Sequence, residues 1–355
     1  MTSTERLLWV GVEPTPYLLR VQEAVAERLG IEVDAVFEGR ERSQPWGLGV
    51  DEAVVVGRSP RARVRFVLQL LVRPPDVLLV EGWSTPSALV ALVVGRIRRR
   101  RRFVSSDTWR ATGGSGLRSL GRSLVVRSLV RTAEGVLVAG TPQGEHLVAA
   151  GVDPERVHRL PMVVDIDAIA GAVRADGARS RARATLAVDG FTVLYVGRLV
   201  PGKGVEATLA ALDRMPLGTT GLFVGEGPLG DRVARSDRAR RLGRRTGADL
   251  WSCFAAADVL VLPSEAEAWG LVVNEAAAAG IPVVVSDGVG SAPDLIGDPA
   301  RVVPVGDVDG LAAAMARLAD PTTAARAVAE QDQRLCGFTL DVAVQALGDV
   351  LRGDR

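Results

Sequence analysis

Two short stretches of the chain hold the side chains best suited to chemistry. The first reads Phe191-Thr-Val-Leu-Tyr-Val-Gly197-Arg198-Leu-Val-Pro-Gly202-Lys203-Gly204. A strand-like apolar run enters a glycine-rich turn with two cations, and helical sequence resumes at Val205. Helix N-terminal amides beside two cations make an anion pocket suited to a phosphate or diphosphate. Lys203 is the only lysine in the chain. A solvated surface turn explains that poorly, whereas a site that needs a compact ammonium explains it well. The second stretch runs from Asp258 through Pro263, Ser264, Glu265, Glu267, Trp269 and Gly270 to Glu275, Gly280 and Pro282. A strand ends at Pro263, a loop carries Glu267, and a helix from about Leu271 holds Glu275 in its second turn. Gly280 and Pro282 stop that helix. Acids near a helix start also serve the helix dipole. Paired carboxylates can flank a glycosidic bond, but these two share one loop and helix beside an anion pocket, which better suits gripping ligand hydroxyls.

Two better-known motifs compete for these turns. Gly197-x4-Gly202-Lys203 matches the first seven positions of a P-loop, yet Gly204 stands where a magnesium-binding hydroxyl is required. Gly225-Glu226-Gly227-Pro228-Leu229-Gly230 spells a dinucleotide fingerprint. It follows the second strand of its domain and has no acidic strand end at the ribose spacing. Close backbone approach to a ligand or a neighbouring element is the preferred reading of those glycines.

These turns need strands to leave from. Apolar, β-branched runs recur at Leu7–Val12, Val33–Phe37, Asp76–Val80, Phe103–Ser106, Gly135–Ala139 and Val157–Leu160. They continue at Phe191–Val196, Gly221–Val224, Asp258–Leu262, Ile281–Ser286 and Arg301–Val303. Such runs alternating with helices indicate parallel strands buried on both faces. The expectation is an α/β protein of two doubly wound, Rossmann-like domains facing across a cleft, with chemistry at the strand-to-helix turns. Its 355 residues are more than one core usually fills. Two cysteines and two histidines speak against a disulfide framework, a zinc site or a Ser-His-Asp hydrolase. Met1–Val12 lacks the basic start of a signal peptide, and no apolar stretch reaches membrane-spanning length. A cytoplasmic setting is expected. Residues 1–160 carry a net charge of +6 and residues 161–355 one of −5, a balance unlike that of a nucleic-acid binder.

Taken together, Arg198-x4-Lys203, the Gly225–Leu229 turn and Glu267-x7-Glu275 resemble the retaining glycosyltransferases of family 4, which have the GT-B fold. The resemblance is strongest over Phe191–Asp287 and extends more loosely to Gly151–Asp165. It implies a first, acceptor-side domain over residues 1–163, a nucleotide-sugar domain over 164–339, and a last helix, 340–355, packing back on the first. It further implies that Arg198 and Lys203 hold the donor diphosphate and that Glu275 accepts from ribose hydroxyls. Glu267 would then face the transferred sugar, with Gly225, Ser264 and the amides of Trp269, Gly270 and Leu271 among the donor contacts. No cofactor or metal is implied, since the nucleotide-sugar is itself a substrate.

The chain departs from that pattern in three places. Where relatives place a histidine facing the donor sugar, Phe103-Val-Ser-Ser-Asp107 offers Asp107, which is also a plausible helix cap. The turn after the first strand, Gly11-Val-Glu13-Pro14-Thr15-Pro16-Tyr17, lacks a two-glycine loop and offers Tyr17 on the acceptor side. Only 20 residues separate Leu229 from Leu250, so one helix is expected to be cut short. The run Arg96–Arg102 closes an apolar helix. It reads either as a solvated helix end or as peripheral contact with the inner face of a membrane. The function expected is retaining transfer of a sugar from a nucleotide-diphosphate sugar to an acceptor hydroxyl. A nucleotide-sugar epimerase of the same fold and a non-catalytic sugar-nucleotide binding module are the alternatives. A pyridoxal-phosphate phosphorylase would need a lysine beyond Lys203.

Overall fold

The computed structural model describes residues 5–39, 54–107 and 130–353. The chain divides into two compact units, Met1–Met162 with Leu340–Arg355, and Val163–Thr339. The first unit runs β1 (Arg6–Gly11), α1 (Pro16–Leu29), β2 (Glu32–Phe37), α2 (Pro60–Val72), β3 (Val77–Glu81), α3 (Pro86–Ile97) and β4 (Arg101–Ser106). It continues with β5 (Gly135–Val138), α4 (Thr141–Ala149) and β6 (Val157–Arg159). The second opens with α5 (Ile166–Arg174), α6 (Ala178–Thr185), β7 (Thr192–Val196), α7 (Val205–Leu212), β8 (Thr220–Val224), α8 (Gly230–Ala234) and β9 (Ala239–Gly243). After α9 (Gly247–Ala256) come β10 (Val259–Leu262), α10 (Leu271–Ala278), β11 (Val283–Ser286), α11 (Ala292–Leu295), β12 (Val302–Val303), α12 (Val308–Arg317) and α13 (Pro321–Leu335). A last helix, α14 (Leu340–Arg352), belongs to the first unit.

Each unit holds one six-stranded sheet, ordered β2-β1-β3-β4-β5-β6 and β12-β11-β10-β7-β8-β9. Every strand pairing in them is parallel. The winding reverses between β1 and β3 in one sheet and between β7 and β10 in the other, the points where such sheets open a crevice for ligands. Side chains on one face of each sheet meet its helices: Val10, Leu78, Val80 and Val104 with Phe66, Leu70 and Leu92, and Val193, Tyr195, Phe223 and Val261 with Leu209, Leu311 and Met315. Three helices of the first unit start alike, with Thr15, Ser59 and Thr85 each preceding a proline. Their hydroxyls accept from Leu18, Ala62 and Ala88 amides at 3.4, 3.1 and 3.2 Å.

The one described strand outside those eleven apolar runs, β9, carries no apolar signature: Ala239-Arg-Arg-Leu-Gly243 lies at the sheet edge with both arginines exposed. The preceding helix, α8, is five residues long. The arginine run Arg96–Arg102 does not form one patch, which corrects the expectation from sequence. Helix α3 ends in a Schellman turn, with Arg100 N donating to Gly95 O (2.8 Å) and Arg99 N to Arg96 O (3.2 Å). Arg99 takes the left-handed position at φ 52°, ordinarily a glycine's. Beyond it the chain is already β4. Arg102 is 6% exposed and donates to Thr132 O. Arg101 pairs with Glu5 at 3.2 Å and donates to carbonyls of Val350 and Leu351. It thereby ties α14 to the sheet, while Asp341 of α14 pairs with Arg28 of α1. Strand pairing turns Arg102 inward, whatever its charge, while Arg101, its side chain 39% exposed, is held at the surface by Glu5 and α14.

Candidate functional site

The winding reversal of the second sheet brings together the turns after β7 and β10. Tyr195, fully buried and stacked on Phe223 at 5.3 Å, reaches up beneath the first of them. Its hydroxyl lies 3.1 Å from Arg198 O and 3.0 Å from Lys203 O, pinning both ends of the cation-bearing loop. Gly202 O accepts from Glu265 N at 2.9 Å, which joins this loop to the next. Gly204, at φ 74°, passes so close to Pro263 that a Cβ there would stand 2.3 Å from its carbonyl oxygen. Close passage between two turns therefore accounts for the glycine where a P-loop has a hydroxyl.

The loop so held presents its two cations differently. Lys203 Nζ contacts Glu267 Oε2 at 2.6 Å and Ala266 O at 3.3 Å. An ammonium has three protons, so one remains for a ligand. Arg198 is exposed, and its guanidinium forms no ion pair among the described residues. Glu267 is placed by its backbone: its amide donates to Gly288 O (2.9 Å) and its carbonyl accepts from Gly290 N (3.0 Å). Helix α10 begins just beyond it. Gly270 takes φ 90°, where a Cβ would meet Leu262 at 2.9 Å, and Trp269 is anchored by Nε1 to Asn274 Oδ1 at 2.8 Å. Among the described residues the amides of Trp269, Gly270 and Leu271 donate to no backbone carbonyl, which leaves the positive end of α10 without backbone partners. Glu275 accepts no side-chain hydrogen bond among the described residues, and burial alone pushes its carboxyl up to about 7.

Two of the expected donor contacts also have structural work. Ser264 is fully buried, its hydroxyl without a partner, while its carbonyl accepts from Ser286. Through that carbonyl it holds the β10 turn to β11. Gly225, at φ 141°, lies against the β7 turn, where a Cβ would come 1.9 Å from Gly197 O. Leu199 N donates to Glu226 O at 2.8 Å, and Leu229 N to Leu199 O at 2.9 Å. The dinucleotide-like glycines thus let one turn buttress the next. Sequence reasoning missed Tyr195, which looks like any core aromatic. It also passed over Asp287-Gly-Val-Gly-Ser291, a glycine-rich strand-to-helix turn whose composition was a usable signal.

In the first unit, the corresponding reversal gathers acidic groups. Glu81 at the end of β3 accepts from Trp9 Nε1 (3.0 Å) and Val12 N (3.1 Å). Burial pushes its carboxyl up to about 7, with Asp107 and Glu13 adding repulsion against those two hydrogen bonds. Tyr17, at the start of α1, is pushed up to about 12 by burial, partly offset by its hydrogen bond with Thr15; Glu81, Asp107 and Glu13 again act on it. Tyr17 and Asp107 are therefore electrostatic neighbours. His146 and His158 lie on α4 and β6.

Comparison with known proteins agrees with this layout. A model of glycosyl transferases group 1 matches residues 190–320, and a glycosyl transferase 4-like domain matches residues 13–162. The D-inositol 3-phosphate glycosyltransferase of Mycobacterium tuberculosis is 32% identical over 193 residues, which are 50% of this chain and only 38% of that protein. Among solved structures, Anabaena HepE in complex with UDP-glucose superposes with a TM-score of 0.78 at 20% identity, covering 98% of this chain and 99% of that one. Sucrose-phosphate synthase from Thermosynechococcus elongatus gives 0.75 at 21% identity, covering 98% of each. The chain thus shares the fold of these glycosyltransferase structures, with a glycosyl transferase 4-like domain matched over residues 13–162 and a glycosyl transferases group 1 domain over 190–320.

Proposed function

We propose that the protein transfers a sugar, with retention of anomeric configuration, from a nucleotide-diphosphate sugar to an acceptor hydroxyl. The observation that carries this is the Lys203–Glu267 contact at 2.6 Å, set between an uncommitted Arg198 and the open amino end of α10. Cations and amides stand where a diphosphate would sit, and a carboxylate where sugar hydroxyls would. Arg198 and the third ammonium proton of Lys203 bind the diphosphate and stabilise the charge it gains on leaving. Glu275, four residues along α10 from Leu271, accepts from the ribose hydroxyls. Glu267 orients the sugar. The bond from the anomeric carbon to phosphate oxygen breaks while the acceptor oxygen bonds to that carbon on the same face. The acceptor proton passes to the departing phosphate. No protein nucleophile is needed, and no metal enters the scheme.

HepE was solved with UDP-glucose, which makes uridine nucleotides the first to try here. The acceptor named for the mycobacterial relative carries a phosphate. In this chain the Glu13, Glu81 and Asp107 carboxylates around Tyr17 are unfavourable to a second anion, so an acceptor hydroxyl on a neutral or aminated molecule is the better reading. The setting is cytoplasmic, where nucleotide-sugars are made. Thermal-shift titration with UDP-, GDP-, ADP- and TDP-sugars tests the donor site: one of them is expected to stabilise the protein, and no shift with any would overturn the reading. Proton NMR of the product then reports the anomeric configuration, and inversion would refute the retaining mechanism. Product from the donor alone would indicate an epimerase instead.

A further inference from the structure

Helix α2 is apolar on two opposite sides. Phe66 and Leu70 enter the core at 3% and 2% exposure, while Val64, Leu68 and Val72, spaced four apart on the far side, are 58%, 54% and 76% exposed. A helix covering a sheet ordinarily turns polar side chains to water there. Helix α3, packed against α2, adds Ile97 at 70% exposure. Arg98 beyond α3 donates to the carbonyl of Leu71 near the end of α2, so the two apolar ends adjoin. Alongside α2 a cavity of about 610 Å³ is lined by apolar Leu8, Val36, Leu68 and Val72 and by charged Asp34 and Arg65.

The same two helices and their ends carry cations. Arg61, Arg65, Arg73, Arg96 and Arg99 are exposed, and their side chains enter no ion pair among the described residues. Asp76, the acid next to the end of α2, pairs with Arg100 at 3.5 Å. A second copy of the chain, docked about a twofold axis, would set these arginines against themselves. A nucleic acid would take the cations but leave the apolar strip wet. An anionic bilayer surface accommodates both, apolar side chains at the acyl boundary and guanidinium groups on lipid phosphates.

We propose that α2 and the end of α3 form a docking face for an anionic lipid surface. Among the described residues no helix is long and apolar enough to cross a membrane, so the contact is peripheral. The strip runs toward the amino ends of β3 and β4. Docking therefore leaves their carboxyl ends, with Glu81 and Asp107, uncovered. This contact is independent of the sugar transfer proposed above.

Flotation of the full-length protein with vesicles tests it, using phosphatidylcholine alone and phosphatidylcholine mixed with phosphatidylglycerol, at low and high salt. Binding is expected to the mixed vesicles only and to be lost at high salt. Leu68→Glu with Val72→Glu should abolish it. Replacing Arg61, Arg65 and Arg96 together by glutamine should weaken it on the order of 100-fold. Arg99→Gly relieves a left-handed residue, so it should melt no lower than wild type while binding about fivefold more weakly. No binding, equal binding to both vesicles, or unchanged binding by the glutamate and arginine variants would overturn the proposal. So would a sedimenting dimer that the glutamate pair splits, since that assigns the face to a second copy.

Discussion

Replacing Lys203 perturbs the candidate site at its most connected point. Its ammonium stands 2.6 Å from Glu267 Oε2, with the two side chains only 18% and 24% exposed. A charge-assisted hydrogen bond contributes about 1.5–3 kcal/mol to stability. Lys203→Ala removes it and leaves Glu267 charged and enclosed. At roughly 2–4 °C per kcal/mol for a domain of this size, melting of the second unit should fall by about 3–12 °C. Turnover should fall further, on the order of 100- to 1,000-fold, the usual cost of losing one donor to developing negative charge. The loss should lie in kcat more than in KM, because the charge develops on leaving. Lys203→Arg separates charge from shape. A planar fork is longer than an ammonium, and the loop cannot retreat to admit it, because Gly204 already abuts Pro263. It should keep most of the melting temperature and still lose at least about tenfold in turnover. Initial rates with the best nucleotide-sugar, beside calorimetric melting, read both effects. Wild-type turnover in Lys203→Arg would refute the requirement for a compact ammonium. Wild-type melting in Lys203→Ala would refute the energetic role of the pair.

Other consequences follow from the same geometry. Ribose hydroxyls donate to an ionised carboxylate, and the Glu275 carboxyl rests near 7, so nucleotide affinity should be about tenfold weaker at pH 6 than at pH 8. Titration calorimetry reads this, and Glu275→Gln should bind weakly with no such slope. The sign reverses for the unliganded fold. A carboxyl raised from 4.5 to about 7 keeps a proton that the unfolded chain has released, so stability declines as pH rises across that window, and Glu275→Gln should flatten the decline. Tyr195→Phe keeps the stack on Phe223 but leaves the Arg198 and Lys203 carbonyls without their donor, which should cost about 1–3 kcal/mol in denaturant unfolding and lower kcat. Arg99→Gly should stabilise the first unit by roughly 1 kcal/mol, readable as a higher urea midpoint.

Much of the fold was legible because its strands are continuous apolar runs, a signature that buried parallel sheets require and exposed strands lack. Strand β9 escaped for that reason: at an edge, Arg240 and Arg241 can face water without penalty. The two loops of the candidate site were legible too, since glycines, a lone lysine and spaced acids stand out against an arginine-rich background. What supports those loops did not stand out. Tyr195, Ser264 and Gly288 act through a hydroxyl beneath a turn, a buried carbonyl, and a backbone passage where a Cβ would lie 2.4 Å from Ser264 O. A buried tyrosine and a main-chain carbonyl carry no local pattern, and only the glycines of Asp287–Ser291 were there to be read.

The sequence by itself thus determined the two parallel sheets and the turns rich in functional groups, because periodicity and glycine placement are local properties. Only the tertiary structure decided which of those groups meet. Lys203 and Glu267 lie 64 residues apart in the chain and 2.6 Å apart in space, since the winding reversal sets β10 beside β7. It decided likewise that one run of arginines divides, with Arg101 and Arg102 drawn into β4 and Arg96 and Arg99 left outside. Strand pairing fixes where a side chain points, and no composition can.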